Sequence, residues 1–203
     1  YLAFLSARTE KTQIWLMQVD GGEAWQFSHE KQGVGSFKWS PDGNKIAFLM
    51  TDPKSEQEEK DEREKRDVIL VDQNFKYSHL YLKSFSTEKD TSKATRITEG
   101  DYHITDFNWS PNNKTIVFSH TIEPTINSQF VSGDISVVNI KTKTVKDIVT
   151  WEGKDENPIF TPNGKLIVFT SDGEKIKAIG LSDAYQISSN GGKPKKLAET
   201  PNR

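Results

Sequence analysis

Cysteine is absent from the 203 residues, which excludes disulfides, a thiol nucleophile and cysteine-ligated metal at once. With no disulfide to read, the compartment stays open between the cytoplasm, which is favoured, and the periplasm. An excess of charge is missing too, since 27 Lys and Arg stand against 29 Asp and Glu for a net charge of −2. Nucleic-acid binding without sequence preference needs a strong positive field, so no nucleic-acid partner is expected. No run approaches the 18 or more apolar residues of a membrane span, and the opening YLAFLSARTEKTQ lacks the basic-then-apolar layout of a signal peptide, so a soluble chain with no membrane partner is expected. Hydrophobic residues make up only 33% of the chain and mean hydropathy is −0.69, yet the length suffices for one ordinary domain or two small ones.

What is present is a repeat. FKWSPDGNKIAF (37–48), FNWSPNNKTIVF (107–118) and PIFTPNGKLIVF (158–169) share one register. Pro41, Pro111 and Pro162 each stand two residues after an aromatic (Trp39, Trp109, Phe160) and seven before a phenylalanine (Phe48, Phe118, Phe169). A truncated fourth copy opens the chain, where Leu2-Ala3-Phe4 aligns on Ile46-Ala47-Phe48. Proline presets φ for a turn, the Asp or Asn after it can bond its own backbone, and Gly or Asn next tolerates positive φ. Each copy therefore reads as strand, tight turn, strand.

The strand after each turn is apolar on successive residues, which predicts burial on both faces. A third strand is predicted at 13–19, 79–85, 134–140 and 184–190, and a polar fourth at 24–28, 94–98, 145–149 and 193–199, as suits an outer edge. Pro111 and Pro162 are 51 positions apart, and Pro41 and Pro111 are 70 apart with an insertion at 53–76 between them. A period of roughly 45 to 50 residues with four strands per unit is the pattern of a β-propeller blade. The expected fold is all-β: four-stranded antiparallel blades, roughly four of them with one partial, forming a fragment of a larger ring. Residues 1–203 are read as one propeller segment with blade parts 1–28, 34–98, 104–149 and 156–200.

The phrases WSPDGNKIAF, QIWLMQVDGGEAWQFS and RDVILVDQNFKYSHLYL resemble the propeller of the prolyl-oligopeptidase family of serine peptidases, in particular its acylaminoacyl-peptidase branch. The resemblance implies a non-catalytic propeller that gates access of short peptides to an α/β-hydrolase domain outside this segment. The hairpin is also similar to that of TolB-type periplasmic propellers, so a protein-binding propeller without an enzyme is the alternative. No G-x-S-x-G elbow or HGGG-like oxyanion segment occurs, so this segment carries no catalytic residue of its own. The dipeptidyl-peptidase branch holds its substrate's amino terminus with paired glutamates. The adjacent pair here, Glu58-Glu59, lies in a charge run without that motif's surroundings and carries no such role over.

From Asp52 to Arg66 there are seven acidic and five basic residues. Glu56/Lys60, Glu59/Arg63, Asp61/Lys65 and Glu62/Arg66 sit acid-first at i,i+4, the favourable helical order. A short solvated helix or a mobile loop is expected. Because strands alternate in direction, the tight turns at 41–44, 111–114, 162–165 and 20–23 share one face of the propeller. The insertions at 53–76 and 121–133 and the connections near 29–36, 99–104 and 150–157 share the other. Long loops on a rigid scaffold carry binding more often than tight turns, so the second face is the expected functional one, with Tyr102, His103, Glu123, Trp151 and Glu152 as candidate peptide or domain contacts. Trp39 and Trp109 are expected in the packing between blades, and Trp25 and Trp151 at the surface. The four histidines show no metal-binding spacing, and the Asp-Gly pairs at 20, 42 and 172 are explained by turns, so no metal or cofactor is expected.

Overall fold

The structure, a computed structural model, describes residues 1–66, 74–87, 92–176 and 182–198. The strands form four antiparallel sheets in chain order. The first has three strands, β1 (Leu2–Thr9), β2 (Lys11–Met17) and β3 (Trp25–Gln26). The other three have four each: β4 (Phe37–Trp39), β5 (Lys45–Thr51), β6 (Ser78–Ser84) and β7 (Thr95–Arg96); then β8 (His103–Trp109), β9 (Thr115–Thr121), β10 (Asp134–Asn139) and β11 (Val145–Val149). The last comprises β12 (Asp155–Phe160), β13 (Leu166–Ser171), β14 (Asp183–Ser188) and β15 (Lys195–Ala198). Sequential pairing without crossovers makes each sheet a propeller blade. The opening copy is in register with the rest, because Phe4 pairs with Trp15 as Phe48 pairs with Tyr81. The DVILVD segment and the end of the predicted last strand lie outside the described residues.

The turns repeat atom for atom. Ser40, Ser110 and Thr161 donate their hydroxyls to Asp42, Asn112 and Asn163 at 2.6, 2.8 and 2.8 Å. The same hydroxyls accept from the backbone N–H of Lys45, Thr115 and Leu166, which closes each hairpin with a side chain. The third turn residue takes positive φ in every copy: Gly43 at 69°, Asn113 at 59° and Gly164 at 68°. Gly43→Ala is expected to cost about 1 kcal/mol through φ alone, because nothing lies within 4 Å of an added Cβ. Asn113→Gly should stay within about 0.5 kcal/mol of the parent, and urea unfolding followed by tryptophan fluorescence measures both.

The double-sided apolar strands build the core between blades. Ile46 and Phe48 of β5 pack with Ile14 and Leu16 of the first blade, while Ala47 and Leu49 pack with Ile116 and Phe118 of the third. On β9 the intervening Val117 turns to Ile167 and Phe169 of the fourth blade. Trp109 is buried, and its indole N–H donates to the carbonyl of Lys38 in the preceding blade at 3.1 Å. Trp39 is half-buried beside Phe85.

Two features depart from the sequence reading. The outer strands at 24–28 and 94–98 shorten to two residues each, because the hydroxyls of Ser28 and Thr98 take the N–H groups of Ile14 and Leu80 that a longer ladder would use. The inner strands β8 and β12 begin at His103 and Asp155, inside stretches read as connections. Register shifts at Ile104/Asp106 and Glu156/Ile159 let them run on past the hairpin, as bulges do.

Candidate functional site

Both insertions lie with the inter-blade connections. The charged run forms α1 (Glu56–Arg63), capped by Ser55, whose hydroxyl accepts from Glu58 N–H while Glu58 accepts from Ser55 N–H. No residue of α1 is buried. Its carboxylates reach outward, Glu59 to Lys31 at 2.6 Å and Glu58 to Lys76 at 2.7 Å, with Glu62 held by Lys54 at 2.8 Å. Lysines of the flanking loops thus take Glu59 and Glu62 in place of the expected Arg63 and Arg66, while Arg66 turns to Asp61 and Glu64. The second insertion carries α2 (Ile126–Val131), and Gly133 forms a parallel bridge with Lys154 of the next connection. Ile122, Ile126 and Phe130, four residues apart, are 71%, 74% and 73% exposed.

Between the second and third blades this face holds a buried polar cluster centred on Tyr102. Its ring stacks on Phe118 at 6.0 Å and meets His79 and His120 at 5.4 and 4.9 Å. His103 belongs to the same group, its Nδ1 accepting from Ser78 N–H at 3.2 Å. Three histidines scattered in sequence therefore converge here, although among the described residues no group of three or more metal-ligating side chains is arranged to hold an ion. His79 is fully buried against Thr98, with Asp52 and Arg96 forming an ion pair at 3.0 Å beside it. Burial pushes His79 down to about 4, and the Arg96 charge adds to this. His120 Nε2 meets Ser136 Oγ at 2.8 Å, and Ser136 donates to Asp147 at 2.8 Å. Burial also lowers His120 to about 4 against the upward pull of Asp147, so both imidazoles are neutral at pH 7. Asp134, paired across the ladder with His120, is raised to about 6 by burial and by Asp147.

Ser136 marks where the repeat is broken. Opposite the conserved-register phenylalanines stand Trp15, Tyr81 and Tyr185 in the other blades, and Ser136 in the third. Tyr102 supplies the ring that β10 lacks, stacking on Phe118 as Tyr81 stacks on Phe48 and Tyr185 on Phe169. The sequence candidates thus divide. Tyr102 and His103 enter this cluster. Glu123 is exposed; burial raises the Tyr77 phenol, and the charges of Asp101 and Glu123 add to this. Trp151 is half-buried against Phe169 and Tyr185, with ring centroids 6.1 and 5.0 Å away, so it is a packing residue rather than a free surface ring. Glu152 is exposed beside it. Trp25 likewise packs edge-on against Tyr1 at 5.8 Å.

The boundary of the third and fourth blades holds Asp155, which the sequence reading did not single out. Asp155 pairs with Ser171, two residues past Phe169, as Ile104 pairs with His120, two residues past Phe118. A carboxylate thus occupies the place of a buried isoleucine. Asp155 is 0% exposed; Oδ2 receives Trp151 N–H at 3.3 Å, and Oδ1 has no hydrogen-bond partner. Burial raises it to about 7, against the opposing pull of the neighbouring Ser171 hydroxyl and of the Trp151 N–H. Asp155 and Ser136 each break the pattern of their aligned repeats, an acid in the place of Ile104 and a hydroxyl in the place of an aromatic ring.

No known family's sequence profile matches the chain. A curated relative, the uncharacterized peptidase YuxL of Bacillus subtilis, is 26% identical over 172 residues, covering 84% of this chain and 20% of its own length. TolB of Acinetobacter baumannii superposes with a TM-score of 0.61 at 20% identity, over 97% of this chain and 41% of that one. Acylaminoacyl peptidase of Pyrococcus horikoshii superposes with a TM-score of 0.58 at 15% identity, over 97% of this chain and 30% of that one. The chain spans about a fifth of the curated relative and less than half of these two structures. It is a β-propeller segment. Among propellers it is related to those of peptidases, as the resemblance of its repeats implies.

Proposed function

We propose that this chain is the non-catalytic propeller portion of a serine peptidase of acylaminoacyl- or dipeptidyl-peptidase type, and that it restricts the entry of peptides to a separate α/β-hydrolase domain. The observation that carries this is the 172-residue likeness to a peptidase of which this chain spans only 20%, in a chain without a nucleophile elbow. The exposed apolar row Ile122, Ile126 and Phe130 lies on the long-loop face and is assigned as contact surface for that hydrolase domain, since four fifths of the relative's length lies outside the match. The helix α1 is assigned as the access element on the same face, where no residue of it is buried and its carboxylates pair with Lys31, Lys54 and Lys76.

The test begins with the isolated chain, which should hydrolyse no activated ester above buffer. The complete polypeptide should contain G-x-S-x-G downstream and be active. A ring that closes with no such motif would favour the TolB-like reading instead. In the active protein, deleting residues 54–66 should leave the fold intact, because replacing a loop by a short turn changes closure entropy by only about 1 kcal/mol or less. It should change kcat/KM on a blocked octapeptide by about tenfold and on a dipeptide-sized substrate by less than about twofold. Equal effects on both substrates would remove the access role.

A further inference from the structure

The long-loop face contains a pocket of about 90 Å³ between the third and fourth blades, independent of any hydrolase partner. Thr105, Thr121, Gln129 and Ser132 line it together with Asp155 and the Lys154–Glu156 ion pair. Thr121 donates its hydroxyl to the Glu123 carbonyl at 2.8 Å, Ser132 to the Ser128 carbonyl at 2.9 Å and Thr105 to the Ser119 carbonyl at 3.2 Å. Gln129 Nε2 donates to the Pro124 carbonyl at 3.3 Å, which leaves its Oε1 as the unused end. These contacts place hydroxyl and amide hydrogens on backbone carbonyls, with Thr105 also 2.9 Å from Ser119 Oγ and Ser132 3.3 Å from Ser128 Oγ, and the wall hydroxyl and amide oxygens keep lone pairs that can face a ligand. Asp155 adds a fully buried carboxylate whose Oδ1 has no partner, a state that is costly unless something positive compensates it. Lys154 in the lining does not supply that charge, because its Nζ pairs with Glu156 at 2.7 Å.

We propose that this pocket binds one monovalent cation of about the size of water, an ammonium group or an alkali-metal ion, held by Asp155 and the oxygens of Thr105, Thr121, Gln129 and Ser132. Glu156 also lines the pocket, but Lys154 neutralises it, so Asp155 is the one uncompensated carboxylate of the lining and matches a single charge, whereas calcium sites gather several carboxylates. The volume accommodates one such ion with a water or a methyl group. The repeat gives a second reason: Ile104 fills the equivalent position in the third blade with an apolar side chain, so the blade architecture itself does not require an acid there.

Thermal unfolding of the 203-residue chain tests this, with potassium, ammonium or methylammonium chloride at about 100 mM against tetramethylammonium chloride of equal ionic strength. At pH 8 a bound ion should raise the midpoint by about 3–5 °C. The rise should shrink towards pH 5.5 as Asp155 takes up a proton; the other charges around it are Asp134, Asp172 and the Lys154–Glu156 pair. A rise with potassium alone identifies an alkali ion, and one with methylammonium identifies an amine; both support the site. Asp155→Asn should abolish the rise, and Thr121→Val and Gln129→Leu should each weaken it. These two carry the test should Asp155→Asn fail to fold. An equal rise with tetramethylammonium, no rise with any cation, or a rise unchanged in the variants would overturn the proposal.

Discussion

Asp155→Asn is expected to raise the unfolding free energy at pH 8 by roughly 4 kcal/mol, in buffer free of small cations, and to leave it unchanged near pH 3.5. The folded carboxyl stands at about 7 against an ordinary 3.8, so between these values the folded state binds a proton that the unfolded chain has released. The stability this group contributes is complete below 3.8 and is lost as pH rises through 7. His79 and His120 act in the opposite sense. Held near 4 by burial, they contribute stability that is complete above 6.5 and lost as pH falls to 4, up to roughly 3 kcal/mol each. Asp134, raised to about 6, sides with Asp155. Two acids and two imidazoles thus offset each other, and the parent chain should hold nearly constant stability between pH 4 and 6. The asparagine variant should lose stability on acidification across that range. Chemical denaturation at a series of pH values measures both curves, and parallel curves would show that Asp155 does not titrate as its burial requires.

Phe118→Ala is expected to destabilise the chain by about 3–5 kcal/mol, enough to unfold much of it at 37 °C. Phe118 is 0% exposed and lies in the core between the second and third blades. It also carries the rings of Tyr102 and His120, at 6.0 and 5.3 Å, so its loss opens a cavity and frees the polar cluster together. Phe118→Leu keeps most of the volume and should lose about half as much. Equal losses would mean that the aromatic stack contributes more than the cavity. Differential scanning calorimetry with near-ultraviolet circular dichroism separates loss of packing from loss of strands.

The blades were legible because their determinants are local. A turn closed by its own hydroxyl, a positive φ at Gly43, Asn113 and Gly164, and a strand apolar on both faces leave the same trace in every copy. The division of the molecule into two faces was legible for the same reason, since strand alternation follows from counting strands. The ends of strands were less so. Ser28 and Thr98 read as ordinary strand residues until Ile14 and Leu80 are seen donating to them. The candidate contacts were chosen for lying on the right loops, and Trp151 illustrates the limit of that choice: whether a loop aromatic is exposed depends on whether Phe169 and Tyr185 stand beneath it.

By itself the amino-acid sequence determined the repeat, its four-stranded unit and the tight turns, because each is written within a dozen consecutive residues. Only the tertiary structure decided that His79, His103 and His120 gather around Tyr102, that Ser136 joins His120 to Asp147, and that Asp155 is buried with one oxygen unpaired. These groups lie on different strands and at the boundaries of successive blades. Their desolvation, and with it their charge state, is set by residues tens of positions away that meet them only when the sheets pack.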